Sequence, residues 1–207
     1  MSVTFHILAI VATILALILT GTYVRMLPEL MRHIVTPRAA STIEGSVRMS
    51  RDRNFLALSL LPATVLLCWR YRLWNPDFLE NFSADGAIGL TSAAIVVYLL
   101  LREFLELVLR PRRSSDSWTY ASRLPYTFLV LAATLILPST GLLAVFGAPD
   151  KLISLIIKIE LIIVYLLLLL RRGQIISQSC ASLTTFLYLC GLELLPTAIL
   201  VATSMIF

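Results

Sequence analysis

FHILAIVATILALILTGTYV, from Phe5 to Val24, runs for twenty residues without one Asp, Glu, Lys or Arg. A helix advancing about 1.5 Å per residue needs about 20 such residues to cross about 30 Å of hydrocarbon, so this stretch predicts a membrane-spanning helix. Further apolar stretches lie near 55–74, 87–109, 124–146, 152–170 and 183–206, making about six spans. The runs are continuous and lack the period-two alternation of an outer-membrane barrel, and helices alone satisfy their own backbone in lipid. The expected fold is therefore all-α, a single polytopic transmembrane bundle. Composition agrees, with 58% hydrophobic residues, 14% charged residues and a mean hydropathy of +0.89.

The weakest segment by length is the second, FLALSLLPATVLLCW, which reaches spanning length if Tyr71, Leu73 and Trp74 form an interfacial end and Arg70 and Arg72 snorkel to headgroups. In the fourth, Pro138-Ser139-Thr140-Gly141 predicts a span ending near Leu137, followed by an apolar segment in the interface or dipping back. The first has a second reading as a signal peptide. Against it stand its length and the lack of a basic region before it.

Positive charge falls in alternate gaps. Arg25, Arg32, Arg38, Arg48, Arg51 and Arg53 occupy the first gap, Arg110, Arg112, Arg113 and Arg123 the third, and Arg171 and Arg172 the fifth. Asp77, Glu80 and Asp85 dominate the second, and the fourth has only Asp150 and Lys151. The positive-inside rule then places both termini on the outer face, the periplasm in a Gram-negative cell. This mapping also accounts for the net charge of +5 without nucleic-acid binding.

Residues 25–54 form the largest expected extramembrane piece, a basic cytoplasmic loop. Within it Leu27, Leu30, Met31 and Ile34 approximate one face of a helix that Pro37 ends, as in an interfacial amphipathic helix. Arg32, Arg38, Arg48, Arg51 and Arg53 offer a surface for anionic lipid or a partner protein. No loop is long enough for a separate catalytic domain.

Chemistry is sparse. Cys68, Cys180 and Cys190 have no metal-ligand spacing, His6 and His33 have no ligand pattern around them, and Ser59 and Ser92 have no visible base. Neither metal nor cofactor is expected. The informative residues are charges at membrane depth, which normally face the bundle interior. Glu193, in LYLCGLELLPT, is the deepest, beside Gly191 and a predicted kink at Pro196. Lys158 and Glu160, in LIIKIELII, lie two apart and point in different directions. Counted from the outer face, Lys158 is about 10 Å deep and Glu193 about 20 Å. A flexible lysine stem makes Lys158 with Glu193 the first expected interhelical pair, with Glu160 the alternative acceptor. In YLLLREFLELVLRP, Arg102 and Glu106 are spaced to pair on one face, and Glu103 or Glu106 could instead meet arginines of the first loop.

FLYLCGLELLP, from Phe186 to Pro196, together with Arg53-Asn54-Phe55 at a span entry and the Arg171-Arg172-Gly173 turn, resembles an uncharacterised family of integral membrane proteins of Bacteroidota. The resemblance covers most of the chain, the closing motif being its most specific part. It implies an inner membrane and a Gram-negative host, assigns no activity, and marks Tyr188, Cys190, Glu193 and Pro196 for test.

The leading functional expectation is a non-catalytic subunit or assembly factor of an inner-membrane complex, whose partners are lipids and other membrane subunits. A proton-coupled transporter or channel component using Glu193 and Lys158, working as a homodimer, is the alternative. An intramembrane enzyme on lipid or isoprenoid substrates comes third, since it lacks paired acids or a metal cluster.

Overall fold

A computed structural model describes residues 3–35, 46–109, 116–177 and 182–206, and all regular structure in them is helical. Five helices are long and apolar enough to cross a membrane: Val3–Arg32, Ala84–Val108, Tyr120–Val145, Asp150–Ser177 and Leu183–Ser204. The protein is a multi-pass helical membrane protein.

Helix α1 (Val3–Val35) has 33 residues. At about 1.5 Å each it is about 50 Å long, well beyond the about 30 Å of a hydrocarbon core. Residues 25–35, expected as the start of a loop, therefore continue the helix, since Pro28 sits inside it without ending it. Met26 and Leu30, the latter wholly buried, pack with Leu56, Ala57, Val130 and Leu131. This segment joins the bundle through Met26 and Leu30, while Met31 of the expected apolar face stays half exposed.

The second apolar stretch is a broken pair, α2 (Val47–Ser59) and α3 (Leu61–Arg70). Ser46 caps α2, accepting from the Met49 N–H at 3.4 Å. The break falls at Leu60 because Pro62, in the first turn of α3, has no N–H for the Leu58 carbonyl. After Arg72, at φ 47°, a 3₁₀ turn (Asp77–Asn81) leads to α4 (Ala84–Val108), capped by Ser83.

Helix α5 (Asp116–Val145) passes through both Pro125 and Pro138, so the fourth span does not end at Leu137. One missing donor is cheaper than an open chain in lipid, where every freed backbone group must be satisfied. Thr140, two residues after Pro138, satisfies its own buried hydroxyl within the helix by donating to the Ile136 carbonyl at 2.6 Å. Gly147, at φ 69°, supplies the left-handed turn to α6 (Asp150–Ser177). The last stretch comprises α7 (Ser182–Leu189), a π turn (Cys190–Leu194) and α8 (Leu195–Ile206).

Contacts define one end of the bundle. Thr4 N donates to Asp85 Oδ1 at 3.3 Å, Phe5 stacks on Trp69, Arg70 pairs with Asp150, and Trp74 Nε1 donates to Thr203 Oγ1 at 3.1 Å. The start of α1, the end of α3, the starts of α4 and α6 and the end of α8 thus share that end. The pair α2–α3 packs beside the five long helices, against α1, α4 and α5.

Candidate functional site: a buried ring of four charges

Arg102 and Glu106 project from α4, Arg172 from α6 and Glu193 from the π turn, and together they form a ring of alternating sign. Arg102 Nη2 lies 3.6 Å from Glu106 Oε2, Arg172 Nη2 lies 3.5 Å from the same oxygen, and Arg102 Nε lies 3.5 Å from Glu193 Oε1. Arg172 Nη1 donates to Glu193 Oε1 and closes the ring. Arg172 and Glu193 are each 1% exposed and Arg102 4%. Two guanidinium and two carboxylate groups sum to a formal charge of zero. A buried charge in such surroundings needs both a counter-charge and hydrogen bonds to offset its desolvation.

Local structure explains how each group arrives there. The spacing of Arg102 and Glu106 puts them one turn apart on α4, as the sequence predicts. A π turn inserts one extra residue into a helix, a feature frequent at functional sites. Here the Leu195 N–H reaches back five residues to the Cys190 carbonyl, one residue before Pro196, where the sequence predicts a kink. Tyr165 donates its hydroxyl to the Glu193 carbonyl at 3.0 Å, satisfying an acceptor beside that proline. A Cβ on Gly191 would sit 3.1 Å from Leu109 Cδ1, so the missing side chain lets the π turn approach α4. Tyr188 packs edge-on against Trp118 with ring centres 5.0 Å apart, Cys190 is a half-buried free thiol, and Pro196 is buried.

The expected pair of Lys158 with Glu193 does not form. Lys158 is exposed on α6 beside Ile159, and no described residue pairs with it. Lys158 and Arg172 lie within about 40° of one face of α6, about four turns apart, so what separates them is the element that covers the helix at each height: α4 and the π turn meet it at Arg172. Glu160, the alternative acceptor, accepts from Ser139 Oγ at 3.0 Å. Glu103 is exposed and accepts from the Tyr126 hydroxyl at 2.8 Å, while Glu106 meets Arg102 and Arg172 in place of a first-loop arginine.

Of the five arginines expected on a lipid or partner surface, Arg32, Arg48 and Arg51 are exposed, Arg32 beside Glu29 at 3.4 Å and Arg48 beside Asp52 at 3.9 Å. Arg38 lies outside the described residues. Arg53 is 1% exposed and belongs to the interior. Its guanidinium donates to Asn54 Oδ1 at 2.9 and 3.2 Å and to Ser50 Oγ at 3.4 Å, a local set of acceptors that lets α2 bury it. Arg172 is the ring member that sequence reasoning assigned only to a basic flank. Its signal was the adjoining Gly173, where a Cβ would stand 3.2 Å from Leu189 Cδ1, marking close approach of α6 to α7.

Beside the ring lies a chamber of about 280 Å³ between α2, α3, α4, α5 and α6. Its walls are largely apolar; Arg102, Glu193, Tyr98, Tyr126 and Tyr165 supply polar groups, as does Thr64, whose hydroxyl already donates to the Leu60 carbonyl at 2.9 Å. Among the described residues no three His, Cys, Asp or Glu side chains are grouped to hold a metal ion. Comparison with family models, curated proteins and solved structures matches none of them.

Proposed function

We propose that this chain is a small, non-catalytic integral subunit or accessory factor of a membrane protein complex. The observation that carries the reading is Lys158, a cation on the outer flank of α6 among exposed Leu155, Ile159 and Ile162, with no described partner. A charge at membrane depth is expensive against lipid and normally meets a partner group. An acid or a backbone carbonyl of a neighbouring subunit is that group. The four-charge ring supports the same reading, since its acids are held by arginines of adjacent helices and tie α4, α6 and the π turn together. The resemblance of Phe186 to Pro196 to a Bacteroidota family points to the inner membrane of a Gram-negative cell. The positive-inside rule then puts the shared end of the two termini in the periplasm.

Purification from native membranes in a gentle detergent, with mass spectrometry of the companions, tests this. A stoichiometric heterologous partner is expected from the wild-type chain and is lost from Lys158→Leu, with the bundle intact. Recovery of the chain alone in both cases defeats the reading.

A second reading, a proton-coupled transporter or channel component, draws on Glu193 lining the chamber. Lys158, named with Glu193 for this role, is exposed on α6, and Glu193 pairs with Arg102 and Arg172. Proton-driven flux in liposomes that Glu193→Gln abolishes, with assembly retained, would select this alternative.

A further inference from the structure

The chamber has three properties that together specify a ligand. Its walls are aliphatic and lined with small residues at Ala57, Ala63, Ala132 and Ala133, where the break between α2 and α3 opens space beside α5. Leu58 and Leu137 line it and are also exposed, so it opens sideways to the surface that faces lipid. Its polar floor is Arg102, a buried side chain whose Nε and Nη2 have no hydrogen-bond partner. The tyrosines are already engaged: Tyr165 with the Glu193 carbonyl, Tyr126 with Glu103, and Tyr98 with Thr197 at 3.4 Å. Arg102 Nε and Nη2 face the Glu193 and Glu106 carboxylates at 3.5 and 3.6 Å without hydrogen-bonding to them, so Arg102 keeps donor capacity that a ligand in the chamber would satisfy, in a place where an unsatisfied donor is costly.

The sign of the ligand follows from the ring. Its formal charge is already balanced, so an anionic head would face Glu193 and a cationic head would face Arg102, each without compensation. An uncharged oxygen acceptor satisfies the donors and leaves the balance untouched. The volume, near the lower end for ligand pockets, suits one slender chain.

We propose that this chamber binds one membrane-dissolved amphiphile with an aliphatic tail and an uncharged carbonyl head, the tail lying along α2, α3 and α5 and the carbonyl oxygen accepting from Arg102. The site rests only on the multi-pass fold and stands independently of whether the chain works as a subunit. It makes the ring more than a clamp, because filling the chamber couples a lipid-soluble molecule to the contacts among α4, α6 and the π turn.

Cys68 lines the chamber and reports its occupancy. In phosphatidylcholine nanodiscs, with Cys180→Ser and Cys190→Ser, the rate at which N-ethylmaleimide labels Cys68 is followed with added methyl undecyl ketone or tridecane. The two probes share a slender aliphatic chain and differ in the carbonyl. The ketone is expected to protect about tenfold better than the alkane at equal mole fraction, the discrimination one hydrogen bond to a charged donor supplies. Arg102→Met, which removes the donor, should erase that difference. Ala133→Phe, which fills the chamber without touching the ring, should remove protection by the ketone, and it keeps the test alive if the arginine variant fails to fold. Equal protection by both probes, no protection by either, or full ketone protection in Ala133→Phe would overturn the proposal.

Discussion

Two of the places where arginine meets carboxylate across helices differ in kind, and the better-shaped pair contributes less. At the end where the termini meet, Arg70 grips Asp150 with two parallel bonds of 2.9 and 3.1 Å, yet both side chains are about half exposed. Toward the other end of α6, the ring of Arg102, Glu106, Arg172 and Glu193 is buried, and three of its four contacts are stretched to 3.5 or 3.6 Å. Water and headgroups can replace either partner of the first pair, so its net worth is about 0–1 kcal/mol. Nothing comparable replaces a member of the ring. Good geometry makes a pair specific, whereas burial decides what its loss costs.

The largest effect should come from breaking the ring at its most buried acid. Glu193→Leu leaves two guanidinium groups with only Glu106 between them and should cost about 3–5 kcal/mol, read as lowered thermal stability in detergent. Glu193→Gln keeps an acceptor and should cost visibly less. If the two variants unfold together at the wild-type temperature, burial is not what sets the ring's value.

A sharper form of the comparison removes charge in matched pairs. Arg172→Leu combined with Glu193→Leu leaves Arg102 beside Glu106, a neutral pair one turn apart on α4. The double variant should therefore be more stable than either single one, with a coupling of about 0.5–3 kcal/mol in a double-mutant cycle. Additive losses would mean that the two residues act separately.

The smallest effect is reserved for the exposed pair. Asp150→Asn should shift stability by no more than about 1 kcal/mol, and less in high salt, despite the ideal bond lengths it disrupts. A loss as large as that of Glu193→Leu would erase the distinction between the two regions.

Much of the bundle was legible in advance because apolar run length maps directly onto helix length. The first and fifth runs each lie within a single helix, at Val3–Val35 and Asp150–Ser177, and the third does so up to its last residue, at Ala84–Val108. Proline was harder to read. Pro62 breaks its helix while Pro28, Pro125 and Pro138 do not, a difference that depends on which carbonyls find other donors or packing. The basic segment after Val24 read as a loop because charge marks the membrane boundary, but a helix can continue past that boundary when its apolar side, here Met26 and Leu30, has a core to enter.

For the candidate site, the sequence determined the depth of each charge along its own helix, and with it the pairing of Arg102 and Glu106, since both follow from rise and turn alone. Only the tertiary structure decided that Glu193 meets Arg172 and Arg102 while Lys158 faces outward. Partner choice between helices depends on which helices are neighbours and how each is rotated about its axis. A π turn changes that rotation by the angle of one extra residue, an adjustment made by packing that apolar run length does not encode.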